Sequence, residues 1–284
     1  MFVQKKIKAQ IIEYDKNNDA VVTWEWTDFP MEVSISKVII FAMDAHIKIY
    51  GLSKESMDAI TVYQWNNFAI ENKRDIKLFV DEGNGEKEIY SGQINVAKPV
   101  YEQPNIYIDI QASAGTFQNT MGDIPPSSLK GEVSVPDIFR KIAKDYGMKL
   151  TNKGVTDGEK YPTPYFDQDG MKNRLIAASS AYHVNFLITS DSVIIYPENS
   201  DVFYNRVWDI TKEDYIGYPS FNDAGIVLNF DTILDIDIND KINISGSDVE
   251  VANQSWNVNR IAYNISTKIG GKWVMQVNGA RING

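Results

Sequence analysis

The acidic run at residues 231–240, DTILDIDIND, is the densest group of potential metal ligands in the chain. Its carboxylates could bind calcium, which takes about six to eight oxygen ligands. The aspartates alternate with isoleucine, however, and this period of two predicts a β-strand with the carboxylates on one face. The run also lacks the glycine and the terminal glutamate of an EF-hand loop. We therefore expect a strand with an exposed acidic face, which includes Asp231, Asp235 and Asp237, and no metal site.

Other candidates for catalysis or cofactor binding are few. The chain has no cysteine, which excludes disulfides and thiol catalysis, and only His46 and His183 could supply imidazole to a metal. Neither histidine has a partner at the spacing of a metal site or a catalytic triad. Trp24 and Trp26 could stack on sugars or bases, but aromatic residues of one parity in a strand are typical of a core. We predict no catalytic residue, no cofactor and no metal.

The composition is that of an acidic globular protein. With 28 Lys and Arg against 38 Asp and Glu, the formal net charge is -10. Binding by a grip on phosphates is disfavoured, because it needs clustered positive charge. The 284 residues, of which 43% are hydrophobic, predict two domains with room for a small third. Neither a signal peptide nor a membrane span of about 18 apolar residues is visible, so we expect a soluble protein, made in the cytoplasm, without a membrane anchor.

The first region, residues 1–114, predicts a β domain. Apolar and polar residues alternate in several runs, most regularly at 106–112 (IYIDIQA), as in half-buried strands. One short helix is expected after Ser53, whose hydroxyl can accept a hydrogen bond from the first helical amides. Residues 115–132 carry glycine and proline among small polar residues, a composition that predicts a linker.

The middle region, residues 133–200, predicts a small α+β domain. Ser134 is placed to begin a helix whose apolar residues recur at helical spacing until Gly147. A second helix is expected at 171–182, and a strand pair at 184–197.

The last region, residues 201–284, returns to β periodicity. A parity change near Asn259 and Arg260 predicts an extra residue that bulges a strand, and the pair Gly270 and Gly271 predicts a hairpin between the last two strands. The predicted fold is thus mainly β, with two β domains on either side of the α+β unit.

Short motifs in all three regions occur in an order typical of one protein family. These are 47–53 (IKIYGLS), 142–147 (IAKDYG), 217–219 (GYP), 225–226 (GI) and 271–273 (GKW). Together they resemble the baseplate hub proteins of contractile phage tails, a family that includes late-control tail proteins and the base of type VI secretion spikes.

The resemblance implies that both β regions adopt the tail-tube barrel fold and that the protein is structural, not an enzyme. Three copies would place six similar barrels around an axis and convert threefold spike symmetry to the sixfold symmetry of the tube. The implied partners are two further copies of the chain, a tail-tube ring, the spike and other baseplate proteins, in a virion tail assembled in the host cytoplasm. DNA would pass without specific binding. Asp231, Asp235 and Asp237 are candidates to line the bore, where carboxylates would repel phosphates.

Two other functions fit parts of the sequence. A carbohydrate-binding or carbohydrate-cleaving tail protein is suggested by a β-rich chain with 6 Trp and 15 Tyr. A sixfold tail-tube initiator needs only one barrel in each subunit, whereas two β regions favour a trimer.

Overall fold

The structure is a computed structural model, and it describes most of the chain between residues 5 and 282. The described residues are 5–15, 19–40, 42–62, 73–102, 104–116, 124–158, 160–162, 165–166, 170–198, 206–223 and 225–282. Residues 117–123 of the predicted linker lie outside this set.

Among its described residues, the first region has seven strands and one helix, which agrees with the prediction of a β domain with one short helix. The elements are β1 (Lys6–Tyr14), β2 (Ala20–Trp26), β3 (Met31–Val38), β4 (Asp44–Tyr50), α1 (Lys54–Ile60), β5 (Arg74–Asp81), β6 (Glu86–Glu102) and β7 (Asn105–Ser113). Helix α1 begins where predicted, because the Ser53 hydroxyl accepts a hydrogen bond from the amide of Ser56 at 3.1 Å. Its buried residues, Met57 and Ile60, hold it against the core.

The middle region is the α+β unit that the helical spacing predicted. Strand β8 (Ser127–Ser128) lies within the predicted linker. The middle region comprises β9 (Glu132–Ser134), α2 (Val135–Asp145), β10 (Lys149–Asn152), β11 (Lys160–Pro162), β12 (Tyr165–Phe166), α3 (Met171–Tyr182), β13 (Val184–Ile188) and β14 (Ser192–Pro197), and β12 pairs with β8. Strands β10, β14 and β13 form a three-stranded sheet against which α2 and α3 pack. Phe139, Leu175 and Phe186 belong to a hydrophobic cluster distinct from that of the large sheet.

The last region contributes β15 (Val207–Thr211), β16 (Ser220–Asn222), β17 (Gly225–Phe230), β18 (Lys241–Ser245), a short 3-10 helix (Glu250–Ala252), β19 (Ser255–Ser266) and β20 (Trp273–Arg281). The predicted bulge is present, because the β19–β20 register shifts between Val258 and Arg260. The predicted final hairpin, β19 with β20, is also present.

Both β regions belong to one sheet. Its order is β16-β17-β20-β19-β3-β4-β7-β6-β5-β1-β2, and β15 joins through β18, which also pairs with β19. The two regions meet in an antiparallel ladder of β3 and β19, from Val38 opposite Arg260 to Glu32 opposite Ser266. The mainly β fold with a small α+β unit is confirmed. The domain boundaries stay predictions, and the ladder shows that the two β regions share backbone hydrogen bonds.

The large sheet turns back on itself at β6. Residues 86–93 of this long strand pair with β5, whereas residues 93–102 pair with β7, and the second ladder shifts between Ile94 and Val96. Buried residues on both sides of the turn, such as Ile11 of β1 and Ile47 of β4, lie in a single core cluster. Strands β5, β1 and β2 therefore form a second layer over the core face of the first.

Candidate functional site

The acidic run at 231–240 does not form the strand that its alternation predicted. The chain there is an extended connection between β17 and β18 that ends in a turn. Ile233, Ile236 and Ile238 are buried, so the apolar half of the pattern does mark the core. The pattern misleads because alternate burial requires only an extended backbone, and not a neighbouring strand on each side.

Basic side chains neutralise two of the three predicted acids. Asp235 pairs with Arg206 and, at 3.2 Å, with Lys87, while Asp237 pairs with Lys37. The Arg206 guanidinium, followed by Lys87, lowers the pKa of Asp235 below its usual value. Because Lys87 and Lys37 lie in the first β region, these pairs join the two regions.

The third predicted acid, Asp231, is exposed, and its backbone carbonyl accepts a hydrogen bond from Lys5. The expected channel-facing position of Asp231, Asp235 and Asp237 stays a prediction.

Asp240, which was not among the predicted acids, is the most buried carboxylate of the run. Its Oδ2 accepts hydrogen bonds from the indole of Trp208 at 2.9 Å and from the amide of Asp237 at 2.8 Å. Burial raises the pKa of Asp240, and these two donors only partly offset that effect. One sequence feature could have indicated the burial of Asp240: it directly precedes β18, a strand in which apolar and polar residues alternate.

Glu82 connects the two β regions at a second point. It lies in the turn between β5 and β6, and its Oε2 accepts from the Ile233 amide at 2.8 Å and from the Thr232 hydroxyl at 2.9 Å. Its Oε1 accepts from the Trp273 indole at 2.8 Å and lies 3.1 Å from the Lys5 ammonium. Burial acts to raise the pKa of Glu82, but these donors outweigh it and the pKa is lowered.

An extended polar face runs along the layer formed by β6, β7, β4, β3, β19, β20, β17 and β16. Along β4, Ala45, Ile47 and Ile49 point into the core while His46 and Lys48 point away from it. Cross-strand partners share a face, so the polar side continues through Ser34 to Asn264 across the seam between β3 and β19.

Side chains on this polar face bond mainly to one another. Ser34 donates to Asn264 at 3.0 Å across the seam, and Gln276 donates to Asn229 at 3.0 Å further along. Nearer β6, Ser113 donates to Asp44 at 2.6 Å. Most of the groups are hydroxyls and amides, which carry no net charge.

The charged residues of the polar face nearly balance. Lys48, Lys98 and Arg260 face four acids, which are Glu32, Asp44, Glu102 and Asp109. Opposite charges also lie directly across from each other, as in the pairs of Lys48 with Glu32 and Asp109 with Lys98. The face is therefore polar but close to neutral.

Residues 13–278 match the sequence model of a family described as baseplate hub gp41. The chain belongs to this family. It is thus a hub protein of the phage-tail type, a structural component of a virion tail. No curated protein sequence matches it.

Solved structures share the fold of this hub protein. The 43 kDa tail protein of prophage MuSo2 from Shewanella oneidensis has a TM-score of 0.63 at 10% identity, over 96% of this chain and 98% of that one. The E. coli c3393 protein, a component of the type VI secretion system described as similar to the T4 tail proteins gp27 and gp5, has a TM-score of 0.64 at 8% identity, over 89% and 74%. A tail protein of Neisseria meningitidis MC58 has a TM-score of 0.59 at 8% identity, over 95% and 96%.

Both histidines of the hub protein contact a carboxylate, and one of the two candidate tryptophans lies in the core. His46 contacts Asp109 at 2.6 Å on the polar face, and His183 contacts Glu198 at 2.7 Å at the end of α3. Trp26 is buried, as the core interpretation predicted. Within the described residues, no three His, Cys, Asp or Glu side chains are grouped to hold a metal ion. None of the helices in that same part of the chain is long and apolar enough to cross a membrane.

Proposed function

We propose that this hub protein forms a trimeric, pseudo-sixfold ring that joins the tail tube to the central spike and leaves a channel for DNA. The observation that carries the proposal is the single eight-strand layer shared by the two β regions. Because β3 and β19 are hydrogen-bonded, the regions hold a fixed angle to each other, and a ring subunit that presents two barrels needs such an angle.

The size of the layer supports a channel wide enough for duplex DNA. Strands in a sheet are spaced at about 4.8 Å, so eight strands contribute roughly 38 Å of arc in each copy. With strands tilted by about 40°, three copies would close a barrel roughly 48 Å across between backbones. Side chains on the inside would narrow this opening but not fill it.

The polar face is the surface that we assign to the channel. Its neutral hydroxyls and amides offer phosphates no clustered positive charge to bind, and its nearly balanced charges avoid a strong field of either sign. In the ring, the acids Asp235 and Asp237 would add little negative potential, because each is paired with a basic side chain.

Two further partners follow from the same proposal. The layer of one copy has an upper and a lower rim, and a ring at the junction would present one rim to the tail tube and the other to the spike. The E. coli c3393 protein, which shares this fold, is a component of the type VI secretion system and is described as similar to T4 tail proteins. Other baseplate proteins would contact the outer layer.

Native mass measurement of the chain co-expressed with its neighbouring spike protein tests the stoichiometry. Three copies of each protein are expected. Six copies of this chain would instead favour a tail-tube initiator. A complex with a single copy of each protein would overturn the ring.

The channel assignment has a separate test. Replacing Ser34 and Gln111 with Lys adds two positive charges per copy to the polar face, and the assembled ring should then retain duplex DNA in a salt-dependent manner. Replacing Val251 and Ile269, which are exposed elsewhere, with Lys makes the matched control. Equal retention by both variants would refute the assignment.

A further inference from the structure

The turn between β5 and β6 holds an exposed asparagine that is followed by glycine. Residues 81–86 read DEGNGE, and the two ends of this segment, Asp81 and Glu86, are paired across the ladder. Asn84 and Gly85 are both exposed. No described atom beyond the neighbouring residues lies within 4 Å of the position that a Cβ on Gly85 would occupy. The Asn84 side chain can therefore approach the backbone nitrogen of Gly85 without obstruction.

An asparagine in this position can lose its side-chain amide without an enzyme, because asparagine is chemically labile and glycine has no Cβ to crowd the reaction. The Gly85 nitrogen gives up its proton to water and forms a bond with Cγ of Asn84. The bond from Cγ to the side-chain nitrogen breaks, ammonia leaves, and a succinimide ring remains. Water then opens the ring at either carbonyl, which yields aspartate or isoaspartate. Nothing is oxidised or reduced in either step.

One hydrogen bond of the reacting nitrogen has to be given up first. Oδ1 of Asp81 accepts from the amide of Gly83 at 2.7 Å and from the amide of Gly85 at 3.2 Å. The second distance is longer than the usual value of about 2.9–3.0 Å, and the group is exposed, so water can replace this bond. The bond to Gly83 thus shapes the loop, while the Gly85 nitrogen stays available.

A second Asn-Gly pair, in β20, is enclosed by the fold. Gly279 is paired with a strand on each side, and Asn278 is only 3% exposed. A Cβ on Gly279 would lie 2.8 Å from Cβ of Trp256, so this backbone has no room beside it for a succinimide ring. A third pair, residues 283–284, lies outside the described residues. The structure therefore distinguishes two sites that the local sequence makes equivalent.

The loop that carries Asn84 also carries Glu82, whose carboxylate accepts from the Ile233 amide and the Trp273 indole. Conversion to isoaspartate adds one atom to the backbone of the loop while its ends stay paired in the β5–β6 ladder. We expect the loop to lose at least one of its two amide bonds to Asp81 and to shift Glu82 against its donors. Either product also adds a negative charge close to Glu82, and like charges repel.

We propose that Asn84 is a site of spontaneous deamidation in the folded protein, and that its conversion weakens the connection that Glu82 makes between the two β regions. The reaction consumes only water, so the weakening advances with the age of the protein. The inference does not depend on the proposed ring.

Peptide mapping by mass spectrometry tests the site. The whole protein is aged in mildly alkaline buffer, once folded and once in urea, and the asparagine, aspartate and isoaspartate forms of each peptide are separated. In the folded protein, Asn84 should convert at least about tenfold faster than Asn278, because β20 must first open locally. In urea the two rates should converge. Equal rates in the folded protein, or a difference that persists in urea, would overturn the assignment.

Urea unfolding of the aged samples tests the effect on the connection. The natural protein should lose stability in step with the converted fraction of Asn84. Asn84→Gln is the matched control, because a glutamine closes the corresponding ring far more slowly, and it should keep its initial stability. Asn84→Asp supplies the charge without the longer backbone and should lose less than the aged natural protein.

The link with Glu82 has its own test. In the Glu82→Gln background the conversion of Asn84 should cost less stability, because the contact that it disturbs is already weakened. An equal loss in that background, or conversion of the natural protein without any loss, would overturn the effect on the connection.

Discussion

Replacing Glu82 with Gln should weaken the connection between the two β regions. Each oxygen of this carboxylate faces two donors: the Ile233 amide and Thr232 hydroxyl on one side, and the Trp273 indole and Lys5 ammonium on the other. A glutamine has almost the same shape, but its NH2 group must face one of these donor pairs. Of the four donors only the Thr232 hydroxyl can turn to accept, so at least one hydrogen bond to a charged acceptor is lost whichever way the amide turns. The ion pair with Lys5 is lost in either case.

The expected loss is about 2 kcal/mol in the free energy of unfolding. The hydrogen bond to a charged acceptor contributes about 1.5 kcal/mol, and the ion pair with Lys5, which is partly exposed and can turn to water, contributes about 0.5 kcal/mol. Urea denaturation followed by tryptophan fluorescence measures this loss, and Trp273 reports from the site itself. Glu88→Gln is the control, because Glu88 is exposed and its contact with Lys77 is long, at 3.9 Å, so it should change stability by less than about 0.5 kcal/mol.

The difference between the natural protein and the Glu82→Gln variant should depend on pH. The pKa of Glu82 is lowered by folding, so its contribution is present above the unfolded-state pKa of about 4.3 and is lost as pH falls through the folded-state value. The gap measured at neutral pH should therefore shrink in acid. A Glu82→Gln variant as stable as the control at neutral pH, or a gap that widens in acid, would refute this account.

Two further substitutions probe the same region of the sheet. Gly225→Ala would place a Cβ 2.1 Å from the Gly279 carbonyl oxygen, so we expect the free energy of unfolding to fall by at least about 3 kcal/mol. Gly85→Ala is the control, because Gly85 also has a positive φ but has open space around it, and it should cost only about 1–2 kcal/mol. Thermal or urea unfolding measures both losses. Equal losses would show that backbone conformation, and not space, decides the cost. Asp240→Ala leaves the partly buried Trp208 indole and Asp237 amide without their acceptor and should cost about 2 kcal/mol in urea unfolding. The exposed Asp231→Ala should cost less than about 0.5 kcal/mol. A stability for Asp240→Ala equal to that of Asp231→Ala would contradict the role of this carboxylate.

Local elements of this fold were readable from the sequence because local signals decide them. The helix at 171–182 has the predicted bounds, and the parity change near Arg260 located the bulge. In both cases side chains a few residues apart carry the information, through helical spacing or strand alternation.

Features set by distant residues were not readable. The seam of β3 with β19 pairs Ser34 with Asn264, two ordinary polar residues whose sequence positions give no hint of contact. The ion pairs of Asp235 and Asp237 could not be predicted for the same reason, because their partners come from strands that are distant in the sequence. Alternation alone therefore described Asp235 and Asp237 as free acids on a strand face, when the fold surrounds them with bases.

The location of the negative charge bears on how DNA could pass a hub. A net charge of -10 suggested a bore lined with carboxylates, yet the charges of the polar face nearly balance, and two of the three predicted acids are paired with basic side chains. An acidic lining would raise the cost of bringing phosphates into the bore, and a basic one would hold them there. A lining of hydroxyls and amides does neither, because each of its weak contacts can be exchanged for water as the duplex moves. If the polar face lines the bore, most of the excess acid would lie on the other surfaces of the ring, where it would favour solubility before assembly.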